Sequence, residues 1–174
     1  LDVRNNVVEQ ITKAFKNDKR ITLASHPGRF DEGEIRRLMQ HTPAILTSLM
    51  GISDDDVEDE SDIDFVSWVL YRADNKDRLY DGALSLVSAL IGVIKNINIP
   101  VSFGGGTHIN AECLYSGSLD KINATLWAVK WKLEVRGVNN DGNILLPDGL
   151  DWFKGYESTL KVGIQKADDT VNLD

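Results

Sequence analysis

Three histidines, His26, His41 and His108, and one cysteine, Cys113, are the residues of this chain that could hold a metal or start nucleophilic chemistry. A zinc site built from local sequence shows ligands in close-set pairs. These residues stand far apart, so the sequence predicts no metal and no cofactor. Gly104-Gly105-Gly106-Thr107-His108 has the composition of a phosphate cradle. A cradle needs a helix N-terminus directly behind it, so that backbone N–H groups point at the anion. The residues after these glycines read as extended, and no Walker lysine follows, so the stretch reads as a flexible loop. Ser25-His26 and Ser116 lack the Gly-x-Ser-x-Gly elbow of a nucleophilic serine. The sequence names no catalytic residue.

Charge is more informative. The net charge is −8 over 174 residues. That balance disfavours general affinity for DNA or anionic membranes. No apolar run has the length of a membrane span, and no signal-peptide pattern opens the sequence as given. A lone cysteine cannot form an internal disulfide, which suits a reducing compartment. The negative charge is concentrated in Asp54, Asp55, Asp56, Glu58, Asp59 and Glu60. Acids so dense repel one another, so 53–62 is expected to be a loop. It reads either as a solvated tip or as a surface that repels nucleic acid or meets a basic partner. The EF-hand order of acids around a central glycine is absent.

The elements that must carry these groups follow from periodicity. In Leu126–Arg136, Trp127, Val129, Trp131, Leu133 and Val135 alternate with Ala128, Lys130, Lys132, Glu134 and Arg136. A period of two marks a strand with one buried and one wet face. At about 3.3 Å per residue it spans roughly 36 Å. Lys130, Lys132 and Arg136 share its wet face. They read as a guarded sheet edge or soluble surface, or as a docking face for acidic groups of another subunit.

Val3, Val7, Val8, Ile11, Ala14 and Phe15 recur at helical spacing within 2–17, and Ala83, Leu84, Leu86, Val87, Leu90, Ile91 and Ile94 do so within 79–94. Strands are expected at 21–25, 44–52, 63–73 and 109–114. His26-Pro27-Gly28-Arg29 is expected to turn, and Asp31 to cap a short helix reaching Met39, with Glu34 completing a capping-box pattern. Phe30, an aromatic between Arg29 and Asp31, is either an interface anchor or a staple folded back on that helix. A turn around Gly117 is expected over 115–123. The fold class is therefore α+β, a mostly antiparallel sheet covered on one face by two main helices. Residues 1–138 form the core domain, and 139–174 form an extension whose Trp152, Phe153, Leu160, Val162 and Ile164 suggest one more strand or a packed segment. Lys166–Asp174 is expected to be a mobile end.

Several phrases stand in an order that resembles a known family. They are His26-Pro27-Gly28-Arg29-Phe30-Asp31, Arg37-Leu38, Thr42-Pro43-Ala44-Ile45-Leu46, Leu114-Tyr115-Ser116-Gly117-Ser118-Leu119-Asp120 and Leu126-Trp127-Ala128-Val129-Lys130-Trp131. Over about residues 2–138 the chain resembles the Mu-like bacteriophage tail terminator, or tail completion, proteins. The acidic 53–62 stretch and 139–174 depart from that pattern. The resemblance implies a tail-terminator-like α+β fold and a structural virion protein without enzymatic activity. Such a protein forms a ring, usually a hexamer, on the last ring of the tail tube, stops tube growth and offers a head-joining surface. Its partners would be copies of itself, the tail tube protein and a neck or connector protein, with DNA passing through unbound. It would reside at the tail–head junction of the virion, after assembly in the host cytoplasm. The interface candidates are Arg29, Phe30, Asp31, Asp54, Asp55, Asp56, Lys130, Lys132 and Arg136. The competing readings are another head–tail connector or neck protein, and a small soluble enzyme with a site assembled from loops.

Overall fold

The computed structural model of the chain describes residues 3–28, 32–54, 60–119, 122–136, 155–162 and 165–172. They belong to two compact units, Leu1–Asn140 and Asp141–Asp174. In the first, α1 (Val3–Phe15), β1 (Thr22–Ser25), α2 (Glu32–Leu38), a 3-10 turn (Met39–His41), β2 (Ala44–Asp54), β3 (Glu60–Ala73), α3 (Lys76–Lys95), β4 (Thr107–Leu119) and β5 (Ile122–Arg136) follow in order. The strands form one five-stranded sheet in the order β1-β2-β3-β5-β4. Only β1 and β2 run parallel; the pairs β2–β3, β3–β5 and β5–β4 are antiparallel. The fold is therefore α+β with a mostly antiparallel sheet.

Alternation along the strands decides what each face buries. Ile45, Ile63, Phe65, Val69, Val129, Trp131, Leu133 and Val135 lie on one face, and one buried cluster joins them to Val3, Val7 and Ile11 of α1 and Leu86, Val87, Leu90 and Ile94 of α3. These are the two expected helices on the expected face. At its centre the Trp131 ring stacks on Phe65, with centroids 4.6 Å apart. The Trp131 indole N–H donates to Ser67 Oγ at 3.2 Å, and Ser67 in turn bonds Thr47 at 3.1 Å. These three buried polar groups thus satisfy one another, as a low-dielectric interior demands.

The second face departs from expectation. Ala44, Leu46, Leu70, Ala124 and Leu126 form a smaller cluster there with Leu38 and Met39, from the end of α2 and the 3-10 turn. Parallel strands cannot be joined by a hairpin and need a crossover. The α2 segment is the crossover between β1 and β2, and it caps one half of this face. The run of paired charges lies in its other half.

Three boundaries also differ. The acidic stretch is strand at both ends, since Ser53 pairs with Asp62 and Asp54 with Ser61. Its acids are offset from the next strand, where Lys132 reaches Asp62. Strand β4 continues through Gly117 to Leu119, pairing with β5 where a turn is expected. In the second unit, β6 (Gly155–Val162) and β7 (Gln165–Asn172) form a two-stranded antiparallel sheet. The expected mobile end is thus a strand up to Asn172. Trp152, Phe153 and Ile164 lie outside the described residues.

One glycine within α3 has a packing reason. A Cβ on Gly82 would stand 2.3 Å from the Tyr71 hydroxyl. An alanine gains about 1 kcal/mol of helix propensity over glycine, but here it must displace the phenol. Gly82→Ala is expected to lower stability by about 1–2 kcal/mol on urea denaturation, because overpacking outweighs propensity.

After α1 the chain turns at Asp18, whose carboxylate accepts two bonds from the Arg20 side chain, at 2.8 and 2.7 Å. With a further bond from the Arg20 backbone, this pairing holds the Asp18 pKa down at about 2. A folded-state pKa below the unfolded value of 3.8 stabilises the fold above pH 3.8, and that stabilisation fades as pH falls through about 2. Carboxylate NMR is expected to find the Asp18 midpoint near 2, and Arg20→Gln to return it towards 3.8.

Candidate functional site

The charged half of the second face is the candidate surface. Strand alternation places Asp62, Asp64, Glu112, Lys130, Lys132, Glu134 and Arg136 there, over adjacent strands β3, β5 and β4. The groups are arranged as ion pairs. Lys130 Nζ lies 2.6 Å from Glu112, and Lys132 Nζ lies 2.8 Å from Asp62 and 4.0 Å from Asp64. The Arg136 guanidinium sits over the Phe103 ring, 5.2 Å from its centroid. Half-exposed pairs of this kind contribute about 0–1 kcal/mol each. Their main effect is to neutralise the face locally.

This changes the reading of the expected residues. Lys130, Lys132 and Arg136 do share one face. They are not an edge guard, because β5 lies between β3 and β4. The lysines are also matched to carboxylates of their own chain, so the face is a mosaic of both signs. Asp54 closes β2 opposite Ser61. Arg29, Phe30, Asp31, Asp55 and Asp56 lie outside the described residues. Glu112, Asp62, Asp64 and Phe103 were not singled out from sequence. Cross-strand pairing is what recruits them, and register is not visible in a single strand's pattern.

The sheet also has two margins with no further strand beyond them among the described residues. β1 is four residues long and covers β2 only from Ala44 to Thr47. Past Thr47, residues 48–54 of β2 have no strand on that side among the described residues. On the opposite side β4 is the outermost strand. Large apolar side chains are exposed on both margins: Met50 at 51 % and Ile52 at 64 % on β2, and Leu114 at 50 % on β4. Free strand edges are ready templates for pairing. Here each carries a register shift, at Leu49/Gly51 on β2 and at Thr107/Asn110 and Cys113/Tyr115 on β4. Such bulges bend an edge and make its pairing selective.

The other candidate chemistry resolves into structure. His26 is buried, accepts the Gly28 N–H on Nδ1 at 3.0 Å, and sits with Nε2 3.0 Å from Glu34 Oε1. A neutral ring then carries its proton on Nε2. It ties the β1 exit turn, where Gly28 has φ +87°, to α2. The triple glycine faces the C-terminal end of α3, where Gly106 N–H donates to Ile94 O at 2.8 Å. That end presents carbonyl oxygens, which repel phosphate. Among the described residues, no group of three or more His, Cys, Asp or Glu is placed to hold a metal ion. Among the same residues, no helix is long and apolar enough to cross a membrane.

Comparison with protein-family models and with curated proteins returned no match.

Proposed function

We propose that this chain is a structural subunit of a phage tail, of the Mu-like tail terminator kind, that closes into a ring at the head-proximal end of the tail tube. A closed ring joined head to tail needs two different patches on each subunit. The observation that carries the reading is the pair of unlike open margins on opposite sides of one sheet, distal β2 and β4, each with exposed apolar side chains. In their described residues, the phrases that carry the family resemblance fall on the β1 exit, the end of α2, the start of β2, and β4 and β5. The acidic run at 54–60 suits a wall past which DNA slides, because affinity for DNA comes from Lys and Arg contacts to phosphate.

Light scattering after size exclusion, followed by reconstitution with purified tail tubes, tests the proposal. A terminator caps the tubes and stops their growth, whereas a portal-side connector leaves them unchanged. The double variant Met50→Lys/Ile52→Lys is expected to retain the circular dichroism of the parent and to weaken ring formation by about tenfold or more, the loss typical of apolar anchors at an interface. Leu114→Lys should do the same from the other margin. Rings that form unchanged in both variants would remove the sheet margins from the contact.

A further inference from the structure

A strand that ends a sheet commonly carries a Lys, a Pro or another charge that stops a further strand from adding to it. Both margins of this sheet lack that protection and carry only register shifts. Residues 48–53 of β2 read Ser-Leu-Met-Gly-Ile-Ser, with no charge and no proline. β4 has no Lys, Arg or Pro, and its one acid, Glu112, is held by Lys130 of its own chain at 2.6 Å. The cations lie instead on β5, an interior strand with no edge to guard. The stretch of β2 past β1, 48–54, measures roughly 24 Å at about 3.4 Å per residue. That is longer than an average strand.

Direction and face decide what fits there. β2 pairs antiparallel with β3, β3 with β5 and β5 with β4, so β2 and β4 run in opposite directions. Rotating a copy about an axis along the strands preserves those directions. It brings β4 of one copy antiparallel to β2 of the next, the more stable of the two ladder types. The same rotation repeats until a ring closes. It also keeps the faces in place. Ile52 lies opposite Ile63, and Cys113 opposite Trp127, so both belong to the helix-covered face and meet on one side of the joint.

We infer that copies of this chain join through their backbones, β4 of one subunit adding antiparallel to residues 48–54 of the next, so that the sheet runs on from subunit to subunit. The inference rests on the head-to-tail ring proposed above and names its joint. Cys113 is the only cysteine and is exposed on β4, so it serves as the probe. The parent, Ile52→Cys, Ile52→Cys/Ala111→Cys/Cys113→Ser and Ile52→Cys/Ile109→Cys/Cys113→Ser are oxidised as full-chain rings and run on non-reducing gels. A ladder of disulfide-linked multimers is expected for one of the three cysteine pairs, since a bridge needs Cα atoms within about 7 Å. None is expected for the parent. Moving the β2 cysteine from Ile52 to Asp54 is expected to shift the best β4 partner towards Thr107, as an antiparallel ladder requires. The outward-facing amides of 48–54 and 107–114 are expected to exchange at least about tenfold more slowly in the ring than in the monomer. Disulfide dimers of the parent would mean a two-fold β4–β4 joint and would overturn the inference, as would a partner shift towards Leu119. Rings that give neither ladders nor slowed amides overturn it while leaving the ring itself in place. A chain that stays monomeric beside purified tail tubes overturns both.

Discussion

Replacing Trp131 with alanine is expected to lower stability by about 3–5 kcal/mol, the usual loss for truncating a fully buried aromatic. Trp131 is 2 % exposed and lies at the centre of the main cluster, stacked on Phe65. Its removal leaves a cavity beneath the helices that the flanking strands, held in register on both sides, cannot close. For a unit of this size the loss corresponds to a fall in Tm of roughly 10 °C or more. Trp127 on the same strand provides the contrast. Its indole N–H is buried and has no hydrogen-bond partner among the described residues. Trp127→Phe removes that unsatisfied donor and part of the apolar area together, and the two effects oppose each other. It is expected to change stability by no more than about 1 kcal/mol. Urea midpoints at constant m-value measure both. Equal losses in the two variants would mean that the Phe65 stack and the Ser67 hydrogen bond are not what anchors the core.

Gly105→Ala is expected to be nearly as damaging. A Cβ there would fall 1.9 Å from the Lys95 carbonyl oxygen and 2.5 Å from its carbon. Both are backbone atoms at the end of α3, so no rotamer relieves the clash and the loop must lift. Lifting it strains the Gly106 N–H bond to Ile94 O, which closes the helix end. Overpacking and the weakened bond together are expected to cost about 2–4 kcal/mol. Gly104 supplies the control, since a Cβ there meets nothing within 4 Å. Gly104→Ala is expected to be neutral, or to stabilise by up to about 1 kcal/mol through the unfolded chain. Both can be read from thermal melts of the single variants. A harmless Gly105→Ala would show that the loop does not seal α3 as described.

These contrasts separate what was legible in the sequence from what was not. The alternation in 126–136 identified β5 and its buried face, and helical spacing identified α1 and α3, because both signals are local and repeat within one element. Pro43 and the Gly28 turn marked the margins of the β1–β2 connection. The ends of β2 and β3 were misread as loop, because a run of like charges looks unburiable until the register brings Lys132 beside Asp62. Leu160 and Val162 marked one further strand, which is β6, whereas β7 was read as a mobile end because Gln165–Asn172 is mostly polar.

The candidate surface was legible only in part. Lys130, Lys132 and Arg136 were assigned correctly to one face, since a period of two settles that. Whether they are free to dock or already paired depends on Asp62, Asp64 and Glu112, which come from other strands. The position of β5 within the sheet likewise removed the edge reading from the alternatives its pattern allowed, and left distal β2 and β4 as the margins. Taken alone, the amino-acid order determined the elements, their buried stripes and the α+β class, because those depend on residues a few positions apart. Strand order, the second apolar cluster under α2 and the ion-paired mosaic were decided by the tertiary structure. They depend on which distant segments become neighbours, a choice made by the whole core together.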